Sequence, residues 1–171
     1  MNLEIKEILQ YLSNRKDYVI WAGFAQHAHL GLKYSPDIDI YTDSLETAKQ
    51  ISSDFQQKGW EVAHKPYEIP GYWDKLKKKE TTFDIVHSQI ATDLFFKDKV
   101  EIKVEGHNLN FISKEALFLT KLGQYRAKVR TDEKRKRDLE VINQLSETID
   151  VDKIKELASK LPESYWKTGW V

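Results

Sequence analysis

Residues 22–42 read AGFAQHAHLGLKYSPDIDIYT, and the last six, DIDIYT, decide how the whole chain is to be read. In an extended chain alternate side chains leave opposite faces, so Asp37 and Asp39 emerge together while Ile38 and Ile40 emerge on the other side. The segment therefore predicts a strand with one apolar face for a core and one acidic face for something else. Two carboxylates held that close repel unless a positive charge lies between them. A divalent cation is the usual answer.

Working outward, DYVIWA (17–22) is a β-branched and aromatic run of strand length. Gly23 follows directly, and FAQHAHLGL reads as a short helix starting at that strand's end. Leu3, Ile5, Ile8, Leu9 and Leu12 recur at helical spacing, predicting a first helix that ends near Asn14. Downstream, Asp43 followed by Glu46 is a capping-box signal for a helix to about Lys58, closed by Gly59. WEVAH is a third strand. KPYEIPGYWDKLKKKE, with Pro66, Pro70 and Gly71, reads as an irregular exposed segment. TTFDIVHS is a fourth strand, and VEIKVEGHNLNFI a hairpin turning at Glu105 to Asn108. From Ser113 the pattern is helical: SKEALFLTKLGQYRAKVR, DEKRKRDLEVINQLS and DVDKIKELASKL, stopped by Pro162.

Strands first and helices last predict an α/β (α+β) fold, a mixed β-sheet covered by helices on one side, with a C-terminal helical cap. Residues 1–112 form the expected core and 113–171 a helical region packed on it as one compact unit. A dinucleotide-binding fold is not expected, because no GxGxxG follows any strand.

The chain has 171 residues and balances 27 Lys and Arg against 27 Asp and Glu, so it lacks the global positive field of a nonspecific nucleic-acid binder. It contains no cysteine, which excludes a disulfide framework, a thiolate zinc site and a cysteine nucleophile. The expectation is a cytoplasmic protein with no signal peptide and no membrane span. Of the tryptophans, Trp21 reads as core, and Trp60, Trp73, Trp166 and Trp170 as packing or interface groups. His27 and His29, two apart on a helix, make a poor metal pair. Arg126, Lys128, Arg130, Lys134, Arg135, Lys136 and Arg137 form the one dense basic cluster, either a solvated helix face or an RNA-backbone contact.

Two blocks resemble a known family. Ala22-Gly23-x-Ala25, then Leu30-Gly31-x-Lys33-x-Ser35-x-Asp37-x-Asp39, is similar to the signature of minimal nucleotidyltransferases, particularly AbiEii-type toxin nucleotidyltransferases. Their pattern is Gly-Gly/Ser-x-Ala, then Leu-Gly-x-Arg-x-Ser-x-Asp-x-Asp. Ile112-Ser113-x-Glu115-x-Leu117 with Lys121, and later Lys136-Arg137-Asp138-Leu139, resembles the family's C-terminal motif. The resemblance implies a nucleotidyltransferase fold and the transfer of NMP from an NTP to an acceptor hydroxyl, with release of pyrophosphate. It implies that Asp37, Asp39 and Asp84 form a catalytic trio holding Mg²⁺ or Mn²⁺. Gly23, Lys33, Ser35, Lys121 and Asp138 would then belong to the NTP-binding set. Glu101 is the substitute should Asp84 point away.

The resemblance further implies tRNA or a protein as acceptor and a cognate antitoxin as partner. The family's first glycine is Ala22 here, its arginine is Lys33, and its aspartate after Asp138 is Val141. Two alternatives stay open: a catalytically inactive nucleotide- or partner-binding member of the same fold, and a transferase acting on a small molecule such as an antibiotic. A phosphatase-type DxD is disfavoured, because LKYSP, not an apolar strand, precedes Asp37 and no Gly-Thr follows Asp39.

Overall fold

The computed structural model describes residues 1–63, 71–88, 92–128 and 130–162. The chain divides into two compact units, Met1–Ile112 and Ser113–Val171. The first contains α1 (Leu3–Ser13), β1 (Tyr18–Trp21), α2 (Ala22–Leu30), β2 (Asp37–Thr42), α3 (Leu45–Gln57), β3 (Glu61–Val62), β4 (Tyr72–Lys78), β5 (Thr81–His87), a π-helical turn (Thr92–Phe96), β6 (Val100–Val104) and β7 (His107–Phe111). The second holds α4 (Lys114–Arg126), α5 (Asp132–Ser146) and α6 (Val151–Ser159).

Seven strands form one mixed sheet in the order β3-β4-β5-β2-β1-β7-β6. The β2/β5 and β1/β7 pairs are parallel and the rest antiparallel. Register settles which side chains share a face. Ile38, Ile40, Phe83, Ile85, Ile20, Leu76 and Phe111 fall on one side, all fully buried. The helices cover that side: Phe55 of α3 meets Phe83 edge-on at 4.9 Å, and Phe24 of α2 stacks on Phe111 at 6.4 Å. On α1, Ile5, Ile8, Leu9 and Leu12 are fully buried, and Tyr11 meets Phe55 at 5.0 Å. Burying these rings and branched chains supplies about 1.5–3 kcal/mol each before entropy is counted. The opposite face carries Asp37, Asp39, Asp84, Trp21, Tyr41, Trp73 and Lys75.

Several local expectations need correction. The cap of α3 is Ser44, not Asp43: the extended backbone at Ser44 lets its hydroxyl accept the Thr47 N–H at 3.0 Å, while Asp43 accepts the Thr47 hydroxyl at 2.8 Å. The third strand is only two residues long. The largest difference is Tyr72–Lys78, expected as irregular and found as the full-length strand β4. Pro66, Pro70 and Gly71 all precede it, and its charges gain partners across the fold. Lys75 meets Asp84, Lys78 meets Glu7, and Ser52 donates to Asp74. Tertiary pairing overrides the local signal.

Gly71 enters β4 at φ 124°, where a Cβ would meet the His87 carbonyl oxygen at 2.4 Å, so only glycine fits. The hairpin between β6 and β7 turns at Glu105 and Gly106, both at positive φ. In the second unit α4 ends at Arg126 rather than near Arg130: Ala127 turns extended and its carbonyl accepts from Arg135. Segment 64–70 and the tail carrying Trp166 and Trp170 lie outside the described residues. No helix among the described residues is long and apolar enough to cross a membrane.

Candidate active site

The acidic face is built by two parallel strands. β2 and β5 pair so that Asp37 lies opposite Thr82 and Asp39 opposite Asp84. Residues opposite each other in a ladder share a face, so three carboxylates stand on one side of adjacent strands. Asp37 is held firmly: Thr82 donates to its Oδ1 at 2.7 Å and Ser35 to its Oδ2 at 3.2 Å. The Ser35 hydroxyl also accepts the Asp37 N–H at 3.2 Å.

Gly23 explains how Ser35 gets there. A Cβ on Gly23 would lie 3.0 Å from the Ser35 Cβ, tighter than nearly all real contacts. The glycine lets the start of α2 and the loop before β2 approach. The residue before it, Ala22, sits at φ 54°, in the left-handed region where a Cβ costs about 1–2 kcal/mol. The backbone thus keeps the conformation a glycine would adopt there, under strain. α2 begins at Ala22 with no side chain capping its first turn, so those N–H groups carry the partial positive charge that attracts anions. Lys33 is exposed in the loop that follows the helix.

Asp84 is 7% exposed, and both its oxygens are engaged. Trp73 donates its indole N–H to Oδ1 at 2.9 Å, and the Lys75 ammonium lies 3.0 Å from Oδ2. Lys75 is the direct cross-strand partner of Asp84. Burial pulls the Lys75 pKa down, but Asp84, and then Asp37 and Asp39, outweigh it and hold the ammonium above the usual lysine range. One cation therefore feels all three acids. Thr82, Trp73 and Lys75 were missed in the sequence reading. The alternation of YWDKLKK was the available signal, masked by the prolines before it. Glu101 is exposed on the edge strand β6, separated from β2 by β1 and β7, and pairs with Lys16 at 2.7 Å.

The donor set, carboxylates and hydroxyls only, suits a hard divalent cation. Among the described residues, however, no three acidic or imidazole side chains stand close enough together to chelate one. Asp37 and Asp39, two apart on β2, leave the strand on the same face. Asp84 as placed is committed to Lys75 and Trp73. Beside the acids, Trp21 stacks on Tyr41 at 4.8 Å and Tyr41 on Phe95 at 5.5 Å. His27 and His29 bond separately to the carbonyls of Leu32 and Ile112, at 2.6 and 2.7 Å.

The second unit gathers Lys121 and Asp138. Asp138 is 2% exposed and receives Lys121 at 3.1 Å and a bidentate grip from Arg130 at 2.7 and 2.8 Å. Lys121 is itself buried, not on a solvated surface. Val141 is buried apolar packing. The basic cluster divides: Arg130 and Arg135 are engaged within the unit, while Arg126, Lys128, Lys134, Lys136 and Arg137 are exposed. Arg130 serves Asp138, Arg135 bonds the carbonyls of Arg130 and Ala127, and Arg137 pairs with Glu133 at 2.6 Å.

A family model described as "Nucleotidyl transferase of unknown function (DUF2204)" matches residues 2–167. No curated protein matches the chain in sequence. Among solved structures, the antibiotic-resistance factor ANT(2")-Ia, in complex with adenylyl-2"-tobramycin, is similar at TM-score 0.68 and 15% identity, over 93% of this chain and 97% of that one. An antigenic nucleotidyltransferase-like protein from Paracoccidioides brasiliensis is similar at TM-score 0.54 and 17% identity, over 95% and 88%. The Megavirus polyadenylate synthase is similar at 0.57 and 13%, over 84% of this chain but 30% of that one. At such identities the likeness establishes the fold.

Proposed function

We propose, from the premise that the chain belongs to the DUF2204 family of nucleotidyl transferases, that it moves a nucleoside monophosphate from an NTP to an acceptor hydroxyl. One observation supports this above the rest: Asp39 and Asp84 are in register on adjacent strands, with Asp37 on the same face. Asp37 and Asp39 would hold Mg²⁺ or Mn²⁺, which when bound neutralises charge on the reacting phosphates. Thr82 and Ser35 fix Asp37 so that its orientation is set before any ligand arrives. The uncapped first turn of α2 and the Ala22–Gly23 backbone would receive the triphosphate, with Lys33 adding charge. The acceptor oxygen forms a bond to the α-phosphorus, the bond to the bridging oxygen breaks, and pyrophosphate leaves with that electron pair. Asp84, once released by Lys75 and Trp73, would be the base that takes the hydroxyl proton. Lys121 and Asp138 belong to the second unit, and their part in nucleotide binding rests on the motif alone.

For the acceptor, a small hydroxylated molecule is favoured by one observation: a solved structure similar over 93% of this chain and 97% of its own length is a complex with adenylyl-2"-tobramycin. The tRNA or protein acceptor, with an antitoxin partner, rests on the motif resemblance. The test is incubation of each labelled NTP with Mg²⁺ and, separately, aminoglycosides, total RNA and a protein pool. Asp39→Ala should lower transfer by about a thousandfold or more, the scale of several kcal/mol lost from transition-state charge stabilisation. Mg²⁺-dependent NTP binding with no transfer to any acceptor would instead establish the non-catalytic member of the fold.

A further inference from the structure

We infer that Lys75 is a built-in cation occupying the second-ion position beside Asp84, so that the resting site takes one divalent ion, on Asp37 and Asp39. The inference rests on the metal-dependent reading above and goes beyond it, because it assigns a cation-substituting role to a β4 residue outside both sequence motifs.

The geometry is specific. Lys75 is in direct register with Asp84, which is in direct register with Asp39, so the ammonium and the acids lie in one row across β4, β5 and β2. The Lys75 side chain is only 16% exposed, and its nitrogen lies 3.0 Å from Asp84 Oδ2. Trp73, two residues earlier on the same face, fills the other Asp84 oxygen at 2.9 Å. Two donors from one strand thus hold the carboxylate turned toward β4. No trio of acids closes around one point among the described residues, as expected if Asp84 is already paired. A second divalent ion would have to displace the ammonium, at the cost of a charge-assisted hydrogen bond in a largely buried place.

Lys75 is accordingly a positioning residue. It orients Asp84 and sets how many ions the acids accept. The protein takes Lys75→Met, which keeps the aliphatic stem and removes the charge, and Lys75→Arg, which keeps the charge. Mn²⁺ is titrated into each full-length protein and followed by calorimetry and by the electron paramagnetic resonance of free Mn²⁺, with and without a non-hydrolysable NTP analogue. Wild type and Lys75→Arg should bind one ion. Lys75→Met should bind a second, or bind the first at least about tenfold tighter, because a unit charge a few ångströms from the ion has been removed.

Thermal unfolding confirms that each variant is folded. An unchanged stoichiometry and affinity in folded Lys75→Met overturns the inference while leaving the transferase reading standing. Asp39→Ala should lose the ion in both the wild-type and the Lys75→Met background. If it does not, or if wild type takes no Mn²⁺ with or without nucleotide, the metal reading fails together with the inference.

Discussion

Two clusters of buried or half-buried charge, one in each unit, are built on opposite balances. In the second unit a single carboxylate, Asp138, is enclosed by two cations, Lys121 and Arg130, through three hydrogen bonds. Among the described residues of the first unit, Asp37, Asp39 and Asp84 share a face with Lys75, whose ammonium lies 3.0 Å from Asp84. Among the described residues in that row, carboxylates outnumber the ammonium. The other satisfies its acid completely and has positive charge left over. A saturated cluster holds structure together, and an unsaturated one is available for chemistry.

Three substitutions break or sharpen that contrast. Asp138→Ala should have the largest effect, because it strands Lys121 and Arg130 with no acid between them. A loss of about 3–5 kcal/mol is expected, read as a lowered denaturation midpoint. A loss below about 1 kcal/mol would show that the cluster is not structural. Gly23→Ala comes next. Its new Cβ must push Ser35 away from Asp37, so about 1 kcal/mol of stability is lost and nucleotide transfer falls further than stability does. Equal losses in both would mean that Ser35 does not orient the acid. The smallest change is Ala22→Gly, which relieves a left-handed alanine and should raise stability by up to about 1 kcal/mol. An unchanged or lowered stability in chemical denaturation would remove the claim of strain at that turn.

Much of the fold was legible because its signals are local. Period-2 alternation in DIDIYT and TTFDIVHS, helical spacing in residues 3–12, and the run from Ser113 follow from side-chain direction alone. The pair Asp37 and Asp39 was legible for the same reason. β4 was not, because its strand character depends on what Asp84, Glu7 and Ser52 offer it from elsewhere in the chain. With β4 hidden, Trp73 and Lys75 were hidden too, and Trp73 read as a packing group. Thr82 was missed because its value lies in facing Asp37 across a parallel pair, a register no single segment announces. Lys121 illustrates the converse. The motif marks it in the sequence, but only the fold shows that the helix after it buries a carboxylate against it.

The parallel pairing of β2 with β5 has a kinetic consequence. The acids it aligns come from positions 45 residues apart in the chain, and joining such distant segments is a slow event in folding. Until that closure the aspartates are ordinary solvated side chains, scattered along an unfinished polymer and unable to gather an ion. On the proposed assignment of these acids, catalytic competence therefore arrives late, as a property of the closed sheet.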